Sequence, residues 1–171
     1  MRALVEARAQ GRSVLVATRL TRSSCRSLVS LVDRLVAHGV AGWAVVWPRV
    51  TVVDEAVSRT VPRLGIAVPH ALRAVQRAVR RGLPTVLVGV PQCTLGPFGV
   101  RRLAQPRGGG AFARVCDGCA ARPECPGVEP WYLDRFGDEE LRPVASSTRA
   151  PLDETLAEGL ARAAQASEAP R

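Results

Sequence analysis

Gly42-Trp-Ala-Val-Val-Trp47, closed by Pro48, is the stretch on which the fold turns. It is a short, unbroken apolar run with no polar alternation. A strand of this kind is buried on both faces, as in a parallel sheet covered by helices. Two further runs have the same form: Ser13-Val-Leu-Val-Ala-Thr18 before it, and Pro84-Thr-Val-Leu-Val-Gly-Val90, closed by Pro91, after it. Between them the apolar spacing becomes helical. Residues 24–38 place Leu28, Leu31, Val32, Leu35 and Val36 at helical spacing, with Ser23 or Ser24 as N-cap and Gly39 as the stop. Residues 70–81 place Leu72, Val75 and Val79 on one side and Arg73, Arg77 and Arg80 outside, with Pro69 at the start. Residues 2–10 read as the end of another helix. This alternation predicts right-handed βαβ units and a parallel sheet. Three strands are few for a doubly wound sheet, and the chain begins inside an α element, so the expected architecture is the later part of a larger β/α barrel.

Past residue 91 the pattern changes. Residues 92–115 hold Gly96, Pro97, Gly99, Pro106 and the Gly108-Gly-Gly110 run, and read as an irregular loop. Residues 116–143 are dense in Cys, Pro and acids. Residues 152–165 form an Ala-rich amphipathic helix carrying Leu152, Leu156 and Leu160. The expected divisions are therefore residues 1–91, the C-terminal half of a partial barrel; 92–145, a small cysteine-rich cap; and 146–171, a helix and flexible tail.

Composition bounds the function. A chain of 171 residues allows one domain, or one with a small appendage. No apolar run reaches the ~18 residues of a spanning helix. The N-terminal stretch lacks an apolar signal core, which argues against secretion and for a cytoplasmic protein with reduced thiols. The net charge is +9, and all 24 cations are Arg, with no Lys, no Asn and one Ile. Such usage reflects GC-rich codons as much as a polyanionic partner. The charge is uneven: residues 1–114 carry 18 Arg against 4 acids, and residues 115–171 carry 6 Arg against 11. Aromatics are only 4%, and two of the three Trp lie in a strand-like run, which argues against a nucleic-acid surface. Hydrolytic chemistry lacks its parts. His38 and His70 have no neighbouring nucleophile, Asp138, Glu139 and Glu140 are contiguous and read as a solvated turn, and the glycine run precedes no Lys.

The chemistry sits in Cys116-Asp-Gly-Cys119-Ala-Ala-Arg-Pro-Glu-Cys125-Pro-Gly127. A C-x2-C pair lets a tight turn aim two thiolates at one centre, and Gly118 frees the backbone there. A third thiolate follows before a Pro-Gly turn. Thiolates in this grouping bind zinc or an iron–sulfur cluster, and spacing leaves both open. Cys93, just past the C-terminal end of the third strand, is the expected fourth ligand, because parallel α/β folds gather their sites at that end. Cys25 stands alone near a helix start and reads as a packed residue.

The stretch CDGCAARPECPGVEPWYLDRFGDEELRP, residues 116–143, resembles the C-terminal cysteine segment of radical S-adenosylmethionine (radical SAM) proteins of the twitch or SPASM type. Gly127, Tyr132 and Pro143 fit the order of that segment, and the upstream strands fit the last βα units of the family's partial barrel. The resemblance covers about residues 1–145. It implies an auxiliary 4Fe–4S cluster on Cys93, Cys116, Cys119 and Cys125 that anchors substrate or accepts an electron. It also implies S-adenosylmethionine or substrate contacts at Thr18, Arg19 and Gly89. Two departures qualify it. The C-x3-C-x2-C motif for the cluster that cleaves S-adenosylmethionine does not occur, so this chain is expected to be inactive alone and to need an N-terminal radical SAM half as partner. A further SPASM cysteine is replaced by Glu129, which leaves Cys93 or Glu129 as the fourth ligand. The rival reading is a non-catalytic zinc module, with nucleic acid as its contact. The substrate is not marked.

Overall fold

A computed structural model describes Glu6, residues 10–50, Asp54, and residues 59–103, 110–148 and 152–168. Strands β1 (Leu15–Arg19), β2 (Gly42–Val46) and β3 (Thr85–Val88) form a parallel sheet in the order β1-β2-β3. Leu15 pairs with Gly42, and Trp43 with Thr85. The helices described in full are α1 (Leu28–Ala37), α2 (Leu64–Arg80), α3 (Pro130–Phe136) and α4 (Glu154–Glu168). The three strand runs read from the sequence are the three strands of the sheet.

Alternate strand residues serve two apolar layers, which is why no polar alternation is visible in the sequence. Trp43, Val45 and Leu87 pack with Leu28, Val32 and Leu35 of α1 and with Ala71, Ala74 and Val75 of α2. Ala44, Val46, Val86 and Val88 face the other way, against Leu160 and Ala164 of α4. The C-terminal helix thus covers the second face of the sheet. Asp153 starts it, accepting the Leu156 N–H at 3.2 Å through its carboxylate. Gly159 lets it lie close, since a Cβ there would run into the Leu15 side chain. β1 is only half-buried, whereas β2 and β3 are fully buried. The outer side of β3 is met by residues 102–103, where the Leu103 N–H donates to the Leu87 carbonyl at 2.9 Å.

Two helices depart from their sequence pattern at the start: Cys25–Ser27, expected within the helix over residues 24–38, form a 3-10 turn ahead of α1, and α2 starts early. The sequence places a helix start at Pro69, yet α2 begins at Leu64 and Pro69 lies inside it. Proline costs an interior helix one hydrogen bond and a clash with the preceding turn. Contacts from elsewhere in the chain hold the extra turn. Leu64 N–H donates to Tyr132 Oη at 2.7 Å, and Gly65 N–H to Glu140 Oε1 at 3.0 Å. Tyr132 Oη in turn donates to Glu140 Oε2 at 2.5 Å, and Arg63 Nε lies 3.3 Å from Glu140 Oε1. Leu64, Ala67 and Val68 bury their side chains in this turn. His70 consequently sits within α2, and Glu140 is a helix-capping carboxylate as well as part of a turn.

Apart from Glu6 and Gln10, the helix expected over residues 2–10 lies outside the described residues. So do residues 104–109 of the expected loop and the tail past residue 168. Among the described residues no helix is long and apolar enough to cross a membrane.

Tyr132→Phe keeps the ring and leaves the Leu64 N–H without its acceptor, and is expected to cost about 1–3 kcal/mol in urea unfolding. Burial, and then the bond to Glu140, push the Tyr132 phenol above its ordinary 10.0. The unfolded chain therefore ionises first. The contribution of this phenol is present below pH 10 and is lost as the pH rises further. That alkaline loss should be smaller in Tyr132→Phe than in the wild type.

Candidate metal centre

The site is built on the C-terminal end of the sheet from segments with little regular structure. Gly89, at φ 74°, turns the chain out of β3 into a single 3-10 turn, Gln92–Thr94, which carries Cys93. Gln92 is buried and works as a two-sided anchor. Its Nε2 donates to the Ser146 carbonyl at 2.8 Å, and its Oε1 accepts the Thr148 N–H at 3.1 Å. The other three clustered cysteines sit on a loop closed by an antiparallel bridge between Ala111 and Val128, with hydrogen bonds of 2.6 and 3.1 Å. The two backbones meet there because neither flank carries a Cβ. One on Gly110 would collide with the Pro126 carbonyl, and one on Gly127 would lie 2.7 Å from the Ala111 carbonyl. Inside this base, two 3-10 turns, Arg114–Cys116 and Arg122–Glu124, are joined through Gly118 at φ 76°.

The result is convergence. Cys93, Cys116, Cys119 and Cys125 line one pocket with about 20 Å³ of room, walled also by Phe112 and Leu141. All four are half-buried free thiols. Among the described residues no group of three or more His, Cys, Asp or Glu has the geometry to hold a metal ion. Glu129 is not on the pocket wall. It precedes α3, and its carbonyl accepts the Tyr132 N–H at 2.8 Å. Of the two fourth-ligand candidates, the structure therefore brings Cys93 to the other three. Cys25 is 3% exposed in the helix-side core, with its Sγ donating to the Arg22 carbonyl at 3.5 Å, and is a packed residue as its sequence context indicates.

Electrostatics follow from this geometry. Burial pushes the Cys93, Cys116 and Cys125 thiols above the ordinary 9.0, and repulsion from neighbouring thiols adds to it. A positive centre would reverse that balance and take the thiols as thiolates, releasing protons. Val144 N–H donates to Cys119 Sγ at 3.5 Å, and backbone hydrogen bonding works against the effect of burial at Cys93 and Cys125. N–H donors aimed at thiolate sulfur are the outer shell that a metal–thiolate centre uses to hold its ligands and tune its charge.

The residues that the resemblance assigned to S-adenosylmethionine lie elsewhere. Thr18 Oγ1 accepts the Trp43 indole N–H at 3.0 Å, Arg19 is exposed, and Gly89 is buried behind β3. None of them lines the thiol pocket. Sequence reasoning missed Gln92 and Arg102. Arg102 is 1% exposed and grips the loop beside Cys125. In a chain whose every cation is Arg, nothing marked it as special.

Comparison with protein-family models, with curated proteins and with solved structures finds no match to this chain.

Gly118 and Gly127 separate conformational from contact strain. Both have positive φ, but a Cβ at Gly118 meets open space and one at Gly127 meets the Ala111 carbonyl. Gly118→Ala is expected to cost about 1 kcal/mol, and Gly127→Ala distinctly more, by thermal unfolding of the purified variants.

Proposed function

We propose that this chain binds an iron–sulfur cluster of the 4Fe–4S type through Cys93, Cys116, Cys119 and Cys125. One observation carries the reading: thiols from two separate segments meet around one pocket, with the Val144 N–H donating to one of them. The donor set is wholly soft, which suits iron–sulfur chemistry. Bound there, a 4Fe–4S centre supplies one-electron transfer at a potential set by nearby charge, hydrogen bonds and solvent access. The chain's own part is placement. β3 and its following turn hold Cys93, the Ala111–Val128 bridge closes the loop holding the other three, and Phe112 and Leu141 keep the walls apolar.

The wider assignment, to the C-terminal part of a radical SAM protein, rests on the resemblance of residues 116–143. The strand order β1-β2-β3, with α1 and α2 on one face, supports a segment of a partial β/α barrel. The half-buried edge strand β1 is where strands of an N-terminal half would join. Cleavage of S-adenosylmethionine is assigned to that partner, because C-x3-C-x2-C does not occur in this sequence. In a barrel the face opposite the crossover helices is the interior, and here α4 lies on it. Contacts of Thr18, Arg19 and Gly89 with S-adenosylmethionine therefore rest on the resemblance alone.

Anaerobic reconstitution with iron and sulfide, followed by iron, sulfide and zinc analysis, tests the cluster. About four irons and four sulfides per chain are expected in the wild type. Cys93→Ala should lose the cluster or hold it labile, while Cys25→Ala and Glu129→Gln should retain it. Stoichiometric zinc without sulfide would replace this reading with a structural zinc module.

A further inference from the structure

The solvent side of α2 carries Arg73, Arg77 and Arg80, with Arg81 just past its end, and all four are exposed. Their spacing is helical, so the guanidinium groups share one side of the helix over about 12 Å of its axis. With Gln76, and with Val29 from α1, they line an open recess of about 590 Å³ between the two helices. Among the described residues no acid lines it. Asp33 of α1 reaches one of the four, accepting from Arg77 Nε at 3.0 Å and Nη2 at 2.8 Å. Its carboxyl is held below the ordinary carboxylate range first by those bonds, and the charge of Arg81 adds to the effect. Arg73, Arg80 and Arg81 have no carboxylate within ion-pair distance among the described residues.

Like charges three and four residues apart disfavour a helix, and one Asp offsets only part of that here. The helix dipole accounts for cations in the last turn, but Arg73 lies about two turns before the end. A recess with every cation exposed encloses no small anion, so affinity must be summed over several phosphates of one polyanion. Guanidinium forks match phosphate oxygens in pairs. A duplex carries a charge about every 1.7 Å of axis, so ~12 Å of it offers about seven phosphates to three free cations. A membrane surface asks for apolar side chains beside the cations, and the apolar residue of this lining, Val29, is half-buried. No aromatic lines the recess. The scarcity of aromatics in the chain weighs against base stacking, not against contact with the backbone.

We propose that the recess between α1 and α2 binds the phosphate backbone of a nucleic-acid duplex, through Arg73, Arg80 and Arg81 and without reading sequence. The excess of 18 Arg over 4 acids in residues 1–114 steers the duplex to this side of the molecule. Asp33 limits the affinity by holding Arg77. Binding here does not require the thiol pocket to hold a metal.

Fluorescence anisotropy of a labelled DNA duplex of about 20 base pairs, titrated with the full chain between ~20 and ~200 mM salt, tests this. Three free cations predict a slope of about −2.7 for log affinity against log salt, from about −0.9 per phosphate contact. Arg73→Gln and Arg80→Gln should each weaken binding and flatten the slope by about 0.9. Asp33→Asn, which frees Arg77, should bind several-fold tighter at low salt and steepen the slope by a similar step. Arg162→Gln makes the same change of net charge at an exposed position on α4, across the sheet, and should bind as the wild type does. No binding at low salt, wild-type behaviour of Arg73→Gln and Arg80→Gln, or an equal loss in Arg162→Gln would overturn the assignment. Tighter binding to phosphatidylserine vesicles than to the duplex would overturn it too, in favour of a membrane contact.

Discussion

The bonds that cap α2 are the constraint on which the rest of the molecule depends. A helix begins with amides that have no partner within it, and if buried they must be satisfied from outside. Here the acceptors are Tyr132 Oη and the Glu140 carboxylate, and Tyr132 lies 68 residues further along the chain than Leu64. The contact fixes both sides at once. It lets α2 start before Pro69, and it docks the cysteine segment, through its short helix α3, onto the α/β body. Aromatic packing broadens the joint, with Trp47 and Tyr132 edge-on at 6.0 Å and Phe136 against Tyr132 at 4.9 Å.

A second set of polar anchors holds the opposite side of the segment. Gln92 and Arg102 both reach residues 146–148, and Arg102 also reaches the peptide before Cys125. Between these anchors the backbone has few ladders of its own, so side chains take over the work of a hydrogen-bonded core. That is a way to place four thiols around one volume: a rigid sheet end presents Cys93, and a loop pinned at its base and flanks presents the others. Half-buried sulfurs among apolar walls and N–H donors then have one favourable way to lose their protons, which is to bind a positive centre.

Much of the fold is legible in the sequence. The runs at 13–18, 42–47 and 84–90 are unbroken because helices cover both faces of the sheet, and that burial is a local property of composition. The helix 28–37 has its apolar period and its glycine stop, and the C-x2-C-x5-C spacing groups three thiols without help from the fold. The start of α2 was not legible, because local propensity favours a boundary at Pro69 and only a distant tyrosine and glutamate outweigh it. Nor was the place of α4. Its amphipathic pattern predicts a buried face but does not say that the second face of the sheet receives it.

What the sequence by itself determined is therefore whatever depends on near neighbours: parallel strands between helices, a thiol cluster, and a chain with no apolar run long enough to span a membrane. Tertiary structure alone decided which fourth-ligand candidate shares a pocket with the three clustered cysteines. Cys93 and Glu129 are both plausible by spacing, but the chain leaving β3 delivers Cys93 to the pocket wall, while Glu129 is taken up at the start of α3. It also decided that Arg102, an arginine like any other in the sequence, is buried against the peptide before Cys125. The physical reason is the same in both cases. A residue's chemistry is written in its side chain, but its neighbours and its distance from water are set by contacts that the chain makes only on closing.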